Sequence, residues 1–156
     1  AHSFGGYLCS RLAASHPDRV RHLALLNTAK HIPRWLTYRM LEVMTPGAYT
    51  HLDTLNDHMV SGCQAVIDKY NLPGYAIGVA SKGCVTFSPS KIVDYESFKQ
   101  NQDGELADLA WLFNMNRGVF MTPGREEEWT LSVQHTIADC DAFISAFEEL
   151  AAELTA

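Results

Sequence analysis

No apolar run in this chain approaches the roughly 18–20 residues that a membrane-crossing helix needs, so no membrane partner is expected. An excess of basic charge is also missing: 12 Lys/Arg stand against 18 Asp/Glu, for a net charge of −6. Binding to nucleic acid depends on a basic face that neutralises phosphates, and an acidic chain argues against that class of partner. The four cysteines, Cys9, Cys63, Cys84 and Cys140, form no C-x-x-C pair. Scattered thiols of this kind point to a reduced, cytoplasmic protein rather than to a disulfide or zinc framework. The first residues have neither the basic segment nor the apolar core of a leader peptide. What is present is ordinary for a globular chain: 156 residues, 47% of them apolar and 19% charged. That length buries about two thirds of the unfolded surface, so folding needs no staple.

The charge is unevenly spread. Residues 1–44 hold six Lys/Arg against two Asp/Glu, and residues 45–156 hold six against sixteen. The periodicity changes at the same place. Phe4 to Ser15 reads as a helix closed by Pro17, and Arg21 to Asn27 as a short buried strand. Together they make an N-terminal helix-strand fragment of α/β type. From Thr45-Pro46, a helix start with proline at its first position, Leu52, Leu55, Met59, Gly62, Cys63, Val66 and Tyr70 recur at three- and four-residue steps. They predict one long amphipathic helix that ends at Asn71 and Pro73.

Tyr75–Ala80 and Cys84–Phe87 then read as a hairpin around Ser81-Lys82-Gly83. A loop with a helical turn near 95–98 follows. A helix over 104–116 has Leu106, Leu109, Ala110 and Phe113 as its expected buried side. Strands are expected over 119–122 and 129–133. A last helix opens with the capping box Thr136…Asp139 and carries Ile137, Cys140, Ile144, Phe147, Leu150, Ala151 and Leu154 on one face. The expected fold is α+β: a small antiparallel sheet with helices on one face, plus the N-terminal fragment. Trp111 and Trp129 read as core anchors. Cys63 and Cys140 read as small apolar residues on buried helix faces.

The chemistry-bearing candidates are few. Ser3, in Ala1-His2-Ser3-Phe4-Gly5-Gly6, sits where a G-x-S-x-G turn would present a nucleophile, with Ala1 in place of the first glycine. A serine nucleophile needs a base, a carboxylate to orient it and two N–H donors for an oxyanion. Phe4 could supply one donor, and His135 is the one late histidine placed to act as a base. His135 sits beside a helix cap, however, and with Ser132 reads as a structural element.

H-S-F-G-G-Y-L, A-A-S-H-P-D-R-V and R-H-L-A-L-L-N-T-A resemble the nucleophile elbow, following helix and next strand of the α/β-hydrolases, over roughly residues 1–38. The resemblance implies Ser3 as the nucleophile position of a serine hydrolase or esterase. It finds no acid or histidine partner in this chain. The rest, roughly residues 40–156, resembles the C-terminal small domain of class III pyridoxal-phosphate aminotransferases of the glutamate-1-semialdehyde aminomutase type. Arg117 to Asp141, R-G-V-F-M-T-P-G-R-E-E-E-W-T-L-S-V-Q-H-T-I-A-D-C-D, carries that likeness, and M-T-P-G-A-Y-T-H-L upstream agrees with it.

This second resemblance implies two pieces, 1–40 and 41–156, joined within His31–Glu42. It implies an enzyme that uses pyridoxal phosphate on an amino-acid substrate, with this chain as one part, inactive alone. Glu127 aligns with a glutamate of the family's loop that reaches toward the active site, with Glu126 as the alternative register. The family's cofactor lysine and phosphate-binding residues lie in its large domain. Lys30, Lys69, Lys82, Lys91 and Lys99 have the wrong contexts, so no covalent cofactor is expected on this chain. A missing large domain implies an uncovered surface, and hence self-association. A non-catalytic interaction module is the remaining alternative.

Overall fold

The structure, a computed structural model, describes residues 15, 16, 18, 34–121 and 128–156. The chain divides into two compact units, Ala1–Thr45 and Pro46–Ala156. In the first, the described element is helix α1 (Arg34–Val43), with an exposed Arg39–Glu42 ion pair of 3.2 Å along it. This helix occupies the stretch where the sequence suggested a junction and no element. The helix expected over 4–15, apart from Ser15, and the strand over 21–27 lie outside the described residues.

The second unit opens with helix α2 (Pro46–Tyr70), whose buried stripe is Leu52, Leu55, Asn56, Met59, Cys63, Val66 and Ile67. These positions follow the three- and four-residue spacing of a single helical face. The helix stops where Asn71 takes a left-handed φ of 50°, and the Leu72 N–H closes on Ile67 O at 3.0 Å.

Strands β1 (Tyr75–Val79) and β2 (Lys82–Thr86) then form the expected hairpin, antiparallel, with Gly78 opposite Gly83. Its turn is Ala80-Ser81 rather than Ser81-Lys82-Gly83. Ala80 accepts a φ of 52°, which lets a two-residue connection reverse the chain and frees Lys82 and Gly83 to pair. Helices α3 (Tyr95–Asn101) and α4 (Gly104–Asn116) follow, each capped by an aspartate, Asp94 and Asp103. Strand β3 (Trp129–Thr130) and helix α5 (Ile137–Leu154) complete the unit.

Among the described residues the sheet has three strands in the order β1-β2-β3. Two strand expectations fail in part. Residues 119–121 are not extended into a ladder. Val119 N–H bonds Asn114 O at 3.0 Å, and Met121 O accepts the Trp111 indole N–H at 3.1 Å, so their polar groups are used locally. The strand expected over 129–133 is cut to two residues because Ser132 begins a turn, with His135 N–H on Ser132 O at 3.0 Å.

One face of the sheet lies on α2. A methyl group at Gly78 would meet Asn56 Nδ2 at 2.5 Å and Val60 Cγ2 at 2.7 Å, so only glycine lets the helix come this close. Gly83 plays the same part under Trp129: a methyl group there would overlap the indole and lie 2.7 Å from Ile77 O. The Trp129 indole N–H donates to Asn56 Oδ1 at 2.8 Å, inside the core, and its ring meets Phe143 edge-on at 5.8 Å. Trp129 is thus the core anchor the sequence suggested. The opposite face of the hairpin is open, with Val79 76% exposed.

Helix α5 packs on α2 and runs in the same direction. His58 Nε2 meets Asp141 Oδ1 at 2.7 Å near one end, and Lys69 Nζ meets Glu148 Oε1 at 2.6 Å near the other. Between them Cys63 and Cys140 are buried as expected. Burial pushes the Cys63 thiol up to about 12, with the neighbouring Cys140 adding to the rise, so it stays a neutral apolar group. The Thr136–Asp139 capping box forms as the sequence predicts.

Two buried faces differ from expectation. On α5, Phe143 and Ala146 join Cys140, Phe147, Leu150 and Ala151, whereas Ile137 and Leu154 are exposed. On α4 the buried residues are Ala107, Ala110 and Asn114, and Leu109 is 44% exposed. Helix α4 is apolar nearly all round, so its period does not select a face; the small alanines let it approach α5 closely.

The Asn56–Trp129 bond yields a prediction. Asn56→Ala strands the buried indole N–H and should cost about 2 kcal/mol in urea unfolding. In a Trp129→Phe background, where that N–H is gone, the same substitution should cost at least about 0.5 kcal/mol less. Additive costs would mean that the two side chains are not coupled.

Candidate functional site

Ser3, Glu127 and Glu126 all lie outside the described residues, so the structure brings none of them to a partner. The residues on either side of the acidic segment, Met121 and Glu128, do share a place. They line one cavity of about 210 Å³ with Met59, Trp129 and Phe143 as walls and His135 and Asp139 at its polar side. Four elements build it: α2 supplies Met59, the segment after α4 supplies Val119–Met121, β3 supplies Trp129, and the start of α5 supplies Asp139, Cys140 and Phe143.

The polar side has a definite hydrogen-bond pattern. The Ser132 backbone N–H donates to His135 Nδ1 at 3.0 Å, which fixes Nδ1 as an acceptor and leaves the ring proton on Nε2 in the neutral form. Ser132 Oγ lies 2.9 Å from the same nitrogen and accepts the Gln134 N–H at 3.3 Å. A serine beside a histidine can signal a nucleophile and its base, yet here the nitrogen that would take the proton is already held by the backbone. The pair closes a turn, in the structural role the sequence suggested. Its setting is more exposed than expected: the His135 carbonyl faces His51 Nε2 at 3.0 Å on the surface.

Asp139 Oδ2 accepts from the Thr136 N–H at 2.7 Å and from Thr136 Oγ1 at 2.8 Å. The Thr136 side-chain and backbone bonds hold this carboxyl below the usual range, with the His135 ring adding to the effect. It is therefore ionised at neutral pH. Glu128 pairs with Lys82 Nζ at 3.3 Å, on the exposed edge. Two carboxylates and an imidazole thus border an apolar hollow. Among the described residues no cluster of His, Cys, Asp or Glu could hold a metal ion.

The described lysines do not fit a pyridoxal phosphate. Lys69 is bonded to Glu148, which raises its pKa, the reverse of what a Schiff-base amine needs. Lys82 holds Glu128, and Lys91 and Lys99 are exposed on other segments. The acidic rim would repel a phosphate. Lys30 lies outside the described residues.

Sequence reasoning missed most of this cavity because its walls come from segments up to about eighty positions apart, which no local pattern links. One signal was available: Asn56 is a polar residue on the apolar stripe of α2, next to Leu55, and such a residue needs a buried partner.

No family model matches the chain. It is 28% identical over 104 residues to glutamate-1-semialdehyde 2,1-aminomutase 2 of Lachnoclostridium phytofermentans, a match covering 67% of this chain and 24% of that protein. The structure is similar to that of a glutamate-1-semialdehyde aminomutase from Pseudomonas aeruginosa in complex with PMP. The TM-score is 0.71 at 18% identity, over 95% of this chain and 34% of that one. It is also similar to a transaminase with PLP bound, with a TM-score of 0.59 at 14% identity over 74% of this chain and 25% of the other. The chain thus spans about a quarter to a third of the proteins it matches. This likeness in sequence and structure, obtained for a body of three strands and covering helices, identifies the fold: it is that of an aminotransferase-like domain such as these aminomutase and transaminase structures contain.

Proposed function

We propose that this chain is the C-terminal small domain of a pyridoxal-phosphate-dependent aminotransferase or aminomutase acting on an amino acid, inactive when isolated. The observation that carries the reading is the coverage. The match takes in about a third of a solved aminomutase, and the described residues of that third hold no lysine fit to carry the cofactor. Pyridoxal phosphate supplies an electron sink when bound, and the lysine that holds it would come from the missing large domain. This chain's own part is to shape and close one side of a substrate site. Glu127, in the segment between Met121 and Glu128, is the residue we assign to reach toward the substrate, with Glu126 as its alternate.

Residues 1–40 we read as a hydrolase-like fragment joined to this domain, with 41–156 as the domain itself. The support for that division is the A-H-S-F-G-G-Y-L sequence and the charge change near residue 44. The breadth of the aminomutase likeness, 95% of the chain, does not favour a hydrolase origin, so the division rests on sequence alone. The cytoplasmic setting rests on the buried thiols Cys63 and Cys140, which form no disulfide. No helix among the described residues is long and apolar enough to cross a membrane.

Incubation with pyridoxal phosphate, borohydride reduction and mass analysis should leave every lysine unmodified in stoichiometric terms, and a fluorophosphonate probe should leave Ser3 unlabelled. A one-to-one adduct on any lysine would sink the small-domain reading.

On the small-domain reading, the face that would pack on a large domain is an uncovered surface of this chain taken alone. Val79 and Ile77 on the open sheet face and Leu109 and Leu112 on α4 are exposed apolar side chains. An uncovered patch of a few hundred Å² is worth several kcal/mol at about 25 cal/mol per Å². Light scattering should therefore show mass rising with concentration; a constant monomer would show that the domain covers its own apolar surface.

A further inference from the structure

We draw no further inference here: the strongest candidate, the apolar hollow on the open face of the β1–β2 hairpin walled by Tyr75, Ile77 and Cys84 with Phe98 of α3, is an unpartnered apolar face, and nothing in the structure shows what covers it.

Discussion

The domain from Pro46 onward depends on one buried hydrogen bond, from the Trp129 indole N–H to Asn56 Oδ1 at 2.8 Å. An indole N–H in a dry core costs about 1–3 kcal/mol if left without an acceptor, and an amide on an apolar helix stripe carries a similar cost. Each group satisfies the other, so helix α2 and strand β3 are bound to a single relative placement. The glycines opposite each other on the hairpin, Gly78 and Gly83, make the contact possible: one admits Asn56 and the other the indole. A side chain at either would separate the helix from the sheet. The bond also explains why so short a strand persists. Two residues of ladder do little by themselves, but Trp129 is held from the helix side and Leu131 N–H bonds Ser81 O at 2.8 Å.

Around that junction the last helix packs along α2. Cys140, Phe143, Phe147 and Leu150 meet the stripe of α2, and charges mark the edges of the contact. Arg117, just past α4, reaches Glu149 Oε2 at 2.7 Å and lies over the Phe113 ring. Exposed ion pairs of this sort contribute about 0–1 kcal/mol each. They set the register of α5 more than they stabilise it; the apolar contacts supply the energy. The cavity beside Trp129 is a by-product of the same arrangement, since the start of α5, the chain after α4 and α2 converge there without filling the space.

Much of this was legible because it is local. The long helix over 46–70, the hairpin, the 104–116 helix and the Thr136 cap each follow from spacing and end signals within a few residues. What was not legible is what depends on distant partners. The hairpin turn shifted by one residue because Ala80 tolerates a left-handed φ, a choice favoured by pairing of Lys82 and Gly83 on both sides. Residues 119–121 read as a strand from their apolar character, yet Trp111 and Asn114 take up their polar groups. On helix α4 the expected side is right at Ala110 and half-right at Leu106 and Phe113, but Leu109 is exposed and Ala107 and Asn114 are buried instead. The packing distance to α5, which favours alanine, cannot be read from its own sequence. The candidate residues Ser3 and Glu127 came from resemblance, while the cavity came from packing.

The central claim is that the domain holds itself together through the Asn56–Trp129 junction without the rest of an enzyme. Hydrogen exchange of the three indole N–H groups, followed by NMR on the full chain, tests it most directly. Trp35 is 67% exposed, Trp111 is half-buried on Met121 O, and Trp129 is buried on Asn56. The account predicts that Trp35 exchanges first, Trp111 next, and Trp129 only at the rate of global unfolding. A Trp129 indole that exchanges as fast as Trp35 would contradict it.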